Sequence, residues 1–185
     1  GIGGNHALVR AAWPEARLGP APARMVSGVP DYVDGAMLTT AEAAGAQVIN
    51  RDRMWHYCEG LQNWDPIWPN HRIRILPGPS SLWLDARGYR MEAPFFPGFD
   101  TLGTLKRILA TGHAHSWFIL TQAIIEKEFA LSGSEQNPDL TSGTWLAVLR
   151  ERLGKGATRA VEAFKQKGAD FVVSPDLDTL VSGMN

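Results

Sequence analysis

The stretch Arg72–Met91, RIRILPGPSSLWLDARGYRM, constrains the fold more than any other part of the chain. Ile73, Ile75 and Leu76 make a short apolar run, and Pro77-Gly78-Pro79 interrupts it. From Ser81 to Asp85 the residues alternate. Leu82 and Leu84 fall on one face, and Ser81, Trp83 and Asp85 on the other, the period-two pattern of a half-buried strand. Ala86-Arg87-Gly88 reads as a turn, because glycine reaches positive φ at little cost. Tyr89-Arg90-Met91 can return as a short second strand. The spacing predicts a hairpin with a Gly/Pro loop at its entrance. Such a loop is a plain connection or a place where backbone nears a ligand, and connections are the commoner case.

The chain has 185 residues, enough for a sizeable core in one domain or one and a half. Lys and Arg number 18 against 19 acids, which gives no electrostatic reason to expect a nucleic-acid partner. Cys58 is the single cysteine, so an intrachain disulfide and a Cys-based zinc site are both excluded, and a reducing, cytoplasmic setting fits. No apolar run approaches the ~20 residues of a membrane span. The opening Gly1-Ile2-Gly3-Gly4-Asn5 has no initiator Met and reads as the interior of something longer.

The remaining pattern predicts an α+β fold, a small mixed sheet with packed helices. His6 to Trp13 supports a turn or two of helix. Asp34-Gly35 leads into an Ala-rich helix ended by Gly45. Gln47 to Asn50 reads as a strand that Met54 to Tyr57 continues, and residues 58–71 read as a loop. Asp100 or Thr101 caps a helix with Leu102, Leu105, Ile108 and Leu109 on one stripe. Ser116 to Leu120 is a buried strand, and Gln122 to Leu131 an amphipathic helix. Helices follow at 143–153 and 157–167, the second with Val161 and Phe164 inward. Asp170 to Val173 is a last strand, and Ser174-Pro175-Asp176 starts a final helix.

Few groups suggest chemistry by themselves. His113 and His115 supply two ligands where a metal needs three that converge, so no metal site is expected. Ser80-Ser81 lacks a G-x-S-x-G elbow, and the Gly1-Ile2-Gly3-Gly4 run lacks the preceding strand of a nucleotide fingerprint. His56, within RMWHYCEG, reads most simply as a partly buried, satisfied histidine. Trp64 and Trp68 could mark a binding surface, but aromatic residues under a long loop are more often a plug.

The order of the pieces is more informative. A Gly-Gly segment, VDGAML…AAGA, MWH and PGPSSLWLDARGYR follow one another. The chain resembles the flavoprotein family of fumarate reductase and succinate dehydrogenase, with its 3-ketosteroid dehydrogenase relatives. The likeness is tightest from Val33 to Met91. INRDRMWHY, ILPGPSSLWLDA and IIEKEFALSGSEQNPD resemble a bacterial subgroup of FAD-binding dehydrogenases near the ketosteroid enzymes.

The resemblance implies a two-domain flavoprotein. Residues 1–45 would be a peripheral segment of the FAD-binding domain, and residues 46–185 an incomplete capping, or substrate, domain. It implies that Asp34 and the loop glycines Gly1, Gly3 and Gly4 lie against FAD, and that His56 binds substrate and carries the catalytic role. FAD would be held in the intact parent rather than by these residues alone. The implied partners are a small-molecule substrate and the rest of the FAD-binding domain, and a homo-oligomer is compatible with it.

Some family features are missing. Phe95-Phe96-Pro97-Gly98 stands where fumarate reductases carry a proton-donating Arg, and Arg72 and Ile73 offer no counterpart to their substrate-binding Thr. Gln122 to Phe129 holds no Tyr of the ketosteroid type. The expected substrate is thus a bulky apolar ketone such as a 3-ketosteroid, with Phe95, Phe96 and Phe99 as an apolar rim. The competing expectation is a non-catalytic module that presents Trp64, Trp68 and Trp83 to a ligand or partner.

Overall fold

The computed structural model describes residues 1–141 and 143–184. The chain begins with α1 (His6–Ala11), α2 (Glu15–Leu18) and α3 (Ala36–Ala43). Next come β1 (Gly60–Gln62), β2 (Arg72–Leu76), β3 (Leu82–Asp85), α4 (Thr101–Leu109), β4 (Ser116–Ile119), α5 (Gln122–Glu128) and β5 (Ala130–Leu131). The rest is helical: α6 (Pro138–Thr141), α7 (Trp145–Arg152), α8 (Arg159–Lys167) and α9 (Leu177–Gly183). Helices around small antiparallel sheets make the class α+β.

The stretch that holds the expected hairpin is divided between two sheets. β2 is the centre of β1-β2-β5, pairing Leu61 with Ile73 and Ile75 with Leu131. β3 pairs with β4, setting Trp83 beside Phe118. The return over Tyr89–Met91 is a single bridge between Leu84 and Arg90, not a strand. Pro77-Gly78-Pro79 is therefore a crossover. Gly78 has φ +83°, and a Cβ there would run into Glu128, whose carboxylate accepts hydrogen bonds from Ser80 N (2.8 Å) and Ser80 Oγ (2.7 Å).

The alternation of β3 is real, and the face it buries is that of Trp83 and Asp85. Trp83 and Asp85 are 5% and 1% exposed, whereas Leu82 faces solvent. Asp85 is buried because it is fully used. Its Oδ1 accepts from the backbone N of Arg87 (2.9 Å) and Tyr89 (3.0 Å), and its Oδ2 accepts from Arg107 of α4 (3.1 Å). A buried carboxylate with three donors has had its lost water replaced.

Two cores result. Ile73, Ile75, Phe129, Leu131, Val161 and Phe164 form the larger, joining β2, β5 and the inward face of α8. Trp83, Met91 and Ile108 form the smaller, joining β3 to α4. Phe129 belongs to the first because α5 ends one residue earlier. Phe129 itself is extended (φ −82°, ψ 138°), so the expected helix to Leu131 becomes helix and then strand.

Other expectations change for identifiable reasons. Gln47–Asn50 and Met54–Tyr57 form no strand. Arg53 N bonds to Asn50 O (2.9 Å) in a turn, and Arg17 of α2 grips Asp52 at both its carbonyl (2.8 Å) and its carboxylate (2.6 Å). Asp170–Val173 forms none either. The Asp170 carboxylate takes the N–H of Gln62 (2.6 Å) at the end of β1, a side chain standing in for a ladder partner. β1 lies within the expected loop 58–71, and α6 extends the region expected as the loop 132–138. Asp100 and Asp176 cap α4 and α9 through side-chain bonds to Gly103 N and Thr179 N.

Candidate functional site

The alternation of β2 positions the site. Ile73 and Ile75 enter the larger core, while Arg72 and Arg74 take the other face. That face borders a cavity of about 1400 Å³, which is walled by the N-terminal segment, the stretch 48–58, β2 and one face of α4. The volume exceeds the ~300–1,000 Å³ of a site for one small ligand. The α4 stripe of Leu102, Leu105, Ile108 and Leu109 lines this cavity. Ile108 is also part of the smaller core.

The structure brings together some of the expected residues. His56, Gly1 and Gly3 line the cavity, but Gly4 and Asp34 do not. Gly3 and Gly4 are required by the chain's own packing. A Cβ at Gly3 would come within 2.9 Å of Val29, and one at Gly4 would strike the Pro30 carbonyl. Asp34 starts α3, its Oδ1 accepting from Ala36 N at 2.9 Å, and its carbonyl accepts from Asn5 Nδ2 at 3.4 Å. It therefore stands beside the glycine loop while remaining outside the cavity wall.

His56 has a defined proton. Its Nε2 lies 3.0 Å from the Thr101 carbonyl oxygen at the start of α4. A carbonyl only accepts, so Nε2 is the donor, and neutral His56 keeps Nδ1 as an acceptor. It can take a hydrogen bond or a proton, and it can donate to a substrate carbonyl only once Nδ1 is itself protonated. Cys58, two residues on, also lines the cavity. Burial, with help from Glu59 and Asp100, pushes its thiol up to about 12, so it remains a neutral thiol rather than a nucleophile at pH 7.

Two further polar groups were not anticipated. Arg74 lies over the Tyr57 ring, 3.6 Å from its centroid, with Glu59 Oε2 3.5 Å from its Nε. Tyr57 follows His56 directly and lines the same cavity. The Arg-Ile-Arg-Ile alternation of β2 is the sequence signal for this charged face, and Arg72 and Arg74 both border the cavity.

The expected rim and the tryptophan surface do not form. Phe95 packs on the smaller core, and Phe96 and Phe99 are exposed without lining the cavity. Trp83 is core, Trp64 meets Phe164 edge-on, and Trp68 stacks on His71 at 3.7 Å. These three tryptophans are used within the fold, as the plug reading expected of Trp64 and Trp68. Among the described residues no group of three or more His, Cys, Asp and Glu could hold a metal ion. Among them also no helix is long and apolar enough to cross a membrane.

A chain with its glycine loop and a histidine on one large, mostly apolar cavity has the parts of one side of a cofactor and substrate site. Comparison with known proteins specifies the class. A family model described as FAD binding domain matches residues 1–173. The chain belongs to this FAD binding domain family, which makes FAD the cofactor to be placed. A KsdD-like steroid dehydrogenase of Mycobacterium tuberculosis is 59% identical over 185 residues, all of this chain and 32% of that protein. A KsdD-like steroid dehydrogenase of Mycolicibacterium smegmatis is 60% identical over the same length, 34% of that protein. The chain thus spans about a third of the curated relatives it matches. No solved structure matches it.

Proposed function

We propose that these residues form most of the substrate side of an FAD-dependent dehydrogenase. It would act on a C–C bond next to a carbonyl, in a bulky apolar ketone such as a 3-ketosteroid. Residues 1–45 would be an edge of the FAD-binding domain, and residues 46–185 would belong to the cap. Two relatives named as steroid dehydrogenases support the substrate class. The observation that carries the reading is the cavity itself, with His56 on the same wall system as the apolar stripe of α4.

Its residues divide the work in a simple way. When bound, FAD supplies the redox chemistry. Leu102, Leu105 and Leu109 exclude water and give an apolar ring system about 25 cal/mol for each Å² it buries. His56, held by Thr101 O, presents Nδ1 at a fixed place, where it can accept the proton that leaves the carbon beside the one oxidised. The glycine loop fits one side of a flavin site, since Gly1 and Gly3 open on the cavity. Asp34, next to that loop, is proposed to contribute to FAD binding from its edge. The buried thiol of Cys58 agrees with a cytoplasmic setting.

The test is a paired assay on the intact protein. One arm holds a panel of ketosteroids with an oxidised dye, and the other holds fumarate with a reduced dye. Ketosteroid oxidation is expected, with His56→Ala lowering the rate by about 10²–10⁴-fold while flavin stays bound. Fumarate reduction without turnover of any ketone overturns the reading.

A further inference from the structure

The cavity carries more positive charge than its own acids neutralise. Arg51 pairs with Glu42, and Arg17 and Arg53 lie against Asp52. Arg74 is compensated by buried Glu59. Glu135, the remaining acid on the wall, faces His71 Nε2 at 3.5 Å. His71 is 0% exposed, and its Nδ1 is aimed at Asn63 Nδ2 (3.1 Å) and Ile67 N (3.4 Å), so its proton sits on Nε2, towards Glu135. Arg24 and Arg72 are left, and Arg24 is exposed. Among the described residues no carboxylate lies within ion-pair reach of Arg72, although it is half-buried on the cavity face of a central strand.

We propose that Arg72 is a specificity residue that holds a carboxylate carried by the substrate. The proposal rests on the reading of this cavity as the substrate site, and it narrows the substrate to an apolar ketone with an acidic substituent. The planar fork of a guanidinium matches a carboxylate bidentately, and that of Arg72 is taken up by no protein acceptor among the described residues. Arg74 stands two residues along the same face, about 7 Å away at strand spacing. It is stacked on Tyr57, next to His56, so one polar edge runs from the histidine to the free arginine.

The other anion to consider is the diphosphate of the cofactor. Ser27 stands between Arg72 and the glycine loop. Its carbonyl accepts from Arg72 N at 3.0 Å, and its hydroxyl donates to the Gly3 carbonyl at 2.8 Å. Arg72 is thereby set one chain away from the loop proposed to face FAD, which favours the substrate as the source of the charge.

The experiment uses the intact flavoprotein, a ketosteroid carboxylic acid and its methyl ester. Binding is read from the change in flavin absorbance, and turnover from a dye. The acid is expected to bind about ten- to a hundredfold more tightly than the ester, the span of one charge-assisted hydrogen-bond pair. R72Q should abolish that ratio with flavin content retained, and R72K should keep part of it, which separates the role of the charge from misfolding. Equal affinities for acid and ester in the unsubstituted protein overturn the proposal. So does an R72Q protein in which both weaken alike, or one that loses its flavin. An acid preference that depends on Arg72 without turnover of either compound leaves this site standing and removes the proposed reaction. Turnover of both with no preference does the reverse.

Discussion

The stretch from Cys58 to Phe171 supplies nearly all of the buried apolar side chains, whereas Gly1 to Tyr57 spreads its own over a wall. Ten hydrophobic residues make up the core among the described residues, and Leu18 alone comes from the first 57. Neither α1 nor α3 buries a side chain. Yet Leu8, Val26, Val29, Leu38, Ile49 and Trp55 line the cavity while remaining exposed. The difference shows that apolar supply does not by itself make a core. From Cys58 to Phe171 strands and helices face one another, and from Gly1 to Tyr57 the apolar residues face an open cavity.

The comparison predicts where stability resides, and the largest effect belongs to α8. Phe164 is 2% exposed, meeting Trp64 and Phe171 edge-on or tilted. Phe164→Ala should cost about 3–5 kcal/mol, read by urea or thermal unfolding. Leu8→Ala should stay within about 0.5 kcal/mol. Equal losses from the two would erase the distinction between the regions.

The second prediction concerns Asp85, which joins β3, its turn and α4. Burial alone would raise its pKa, but the N–H groups of Tyr89 and Arg87 and the charge of Arg107 outweigh burial and lower it below the ordinary 3.8. A depressed folded value means that the stabilisation is complete above the unfolded pKa and is lost as pH falls through the folded one. Unfolding measured from pH 6 down to pH 2 should therefore show stability falling below about pH 4, with a shallower fall in Asp85→Asn. Asp85→Ala should cost about 3 kcal/mol at neutral pH, the low end for breaking a buried pair, because Arg107 is partly solvated. An acid profile unchanged by Asp85→Asn would mean that other carboxylates set it.

How much of this was legible in the sequence follows the same division. α4, α8 and α9 were readable because caps and apolar spacing agree with their packing. β2 and β3 were readable as strands, since periodicity is local; their partners were not, because pairing with β5 and β4 depends on residues distant in sequence, as Ile75 with Leu131 and Leu82 with Ile119. Alternation left open which face of β3 is buried, because an aspartate with three donors looks to any pattern like a surface residue. His56 stood out through its neighbours, whereas Arg72 looked like an ordinary surface cation until the strand's other face was seen to border a cavity. The α4 stripe is legible as a stripe but not in what it faces, since an apolar stripe looks the same whether it meets a core or a cavity.

A smaller effect should appear in local opening. Residues 46–57 have little ladder support and are held by side-chain contacts, among them Arg17 at Asp52, a partly exposed pair. Amide exchange and limited proteolysis should start there, at opening free energies well below that of β2. Arg17→Gln should accelerate cleavage in 46–57 without changing exchange at Ile73 or Ile75. Acceleration at both sites would show that the two regions open together.

The smallest effect separates two roles of Asp34. Its Oδ1 closes the start of α3 on Ala36 N, and Gly35, at φ +95°, turns the chain into the helix where a Cβ would press on Ile2 and Leu8. Asn keeps an oxygen acceptor at that position and Ala does not. If Asp34 acts only as a helix start, Asp34→Ala should cost about 1 kcal/mol and Asp34→Asn close to nothing. Neither should then affect flavin in the intact protein. If its charge reaches FAD, Asp34→Asn should weaken flavin binding about tenfold or more while leaving the melting temperature almost unchanged. Melting and flavin titration of the two variants side by side separate these cases, because only the cofactor role distinguishes a carboxylate from an amide of the same shape.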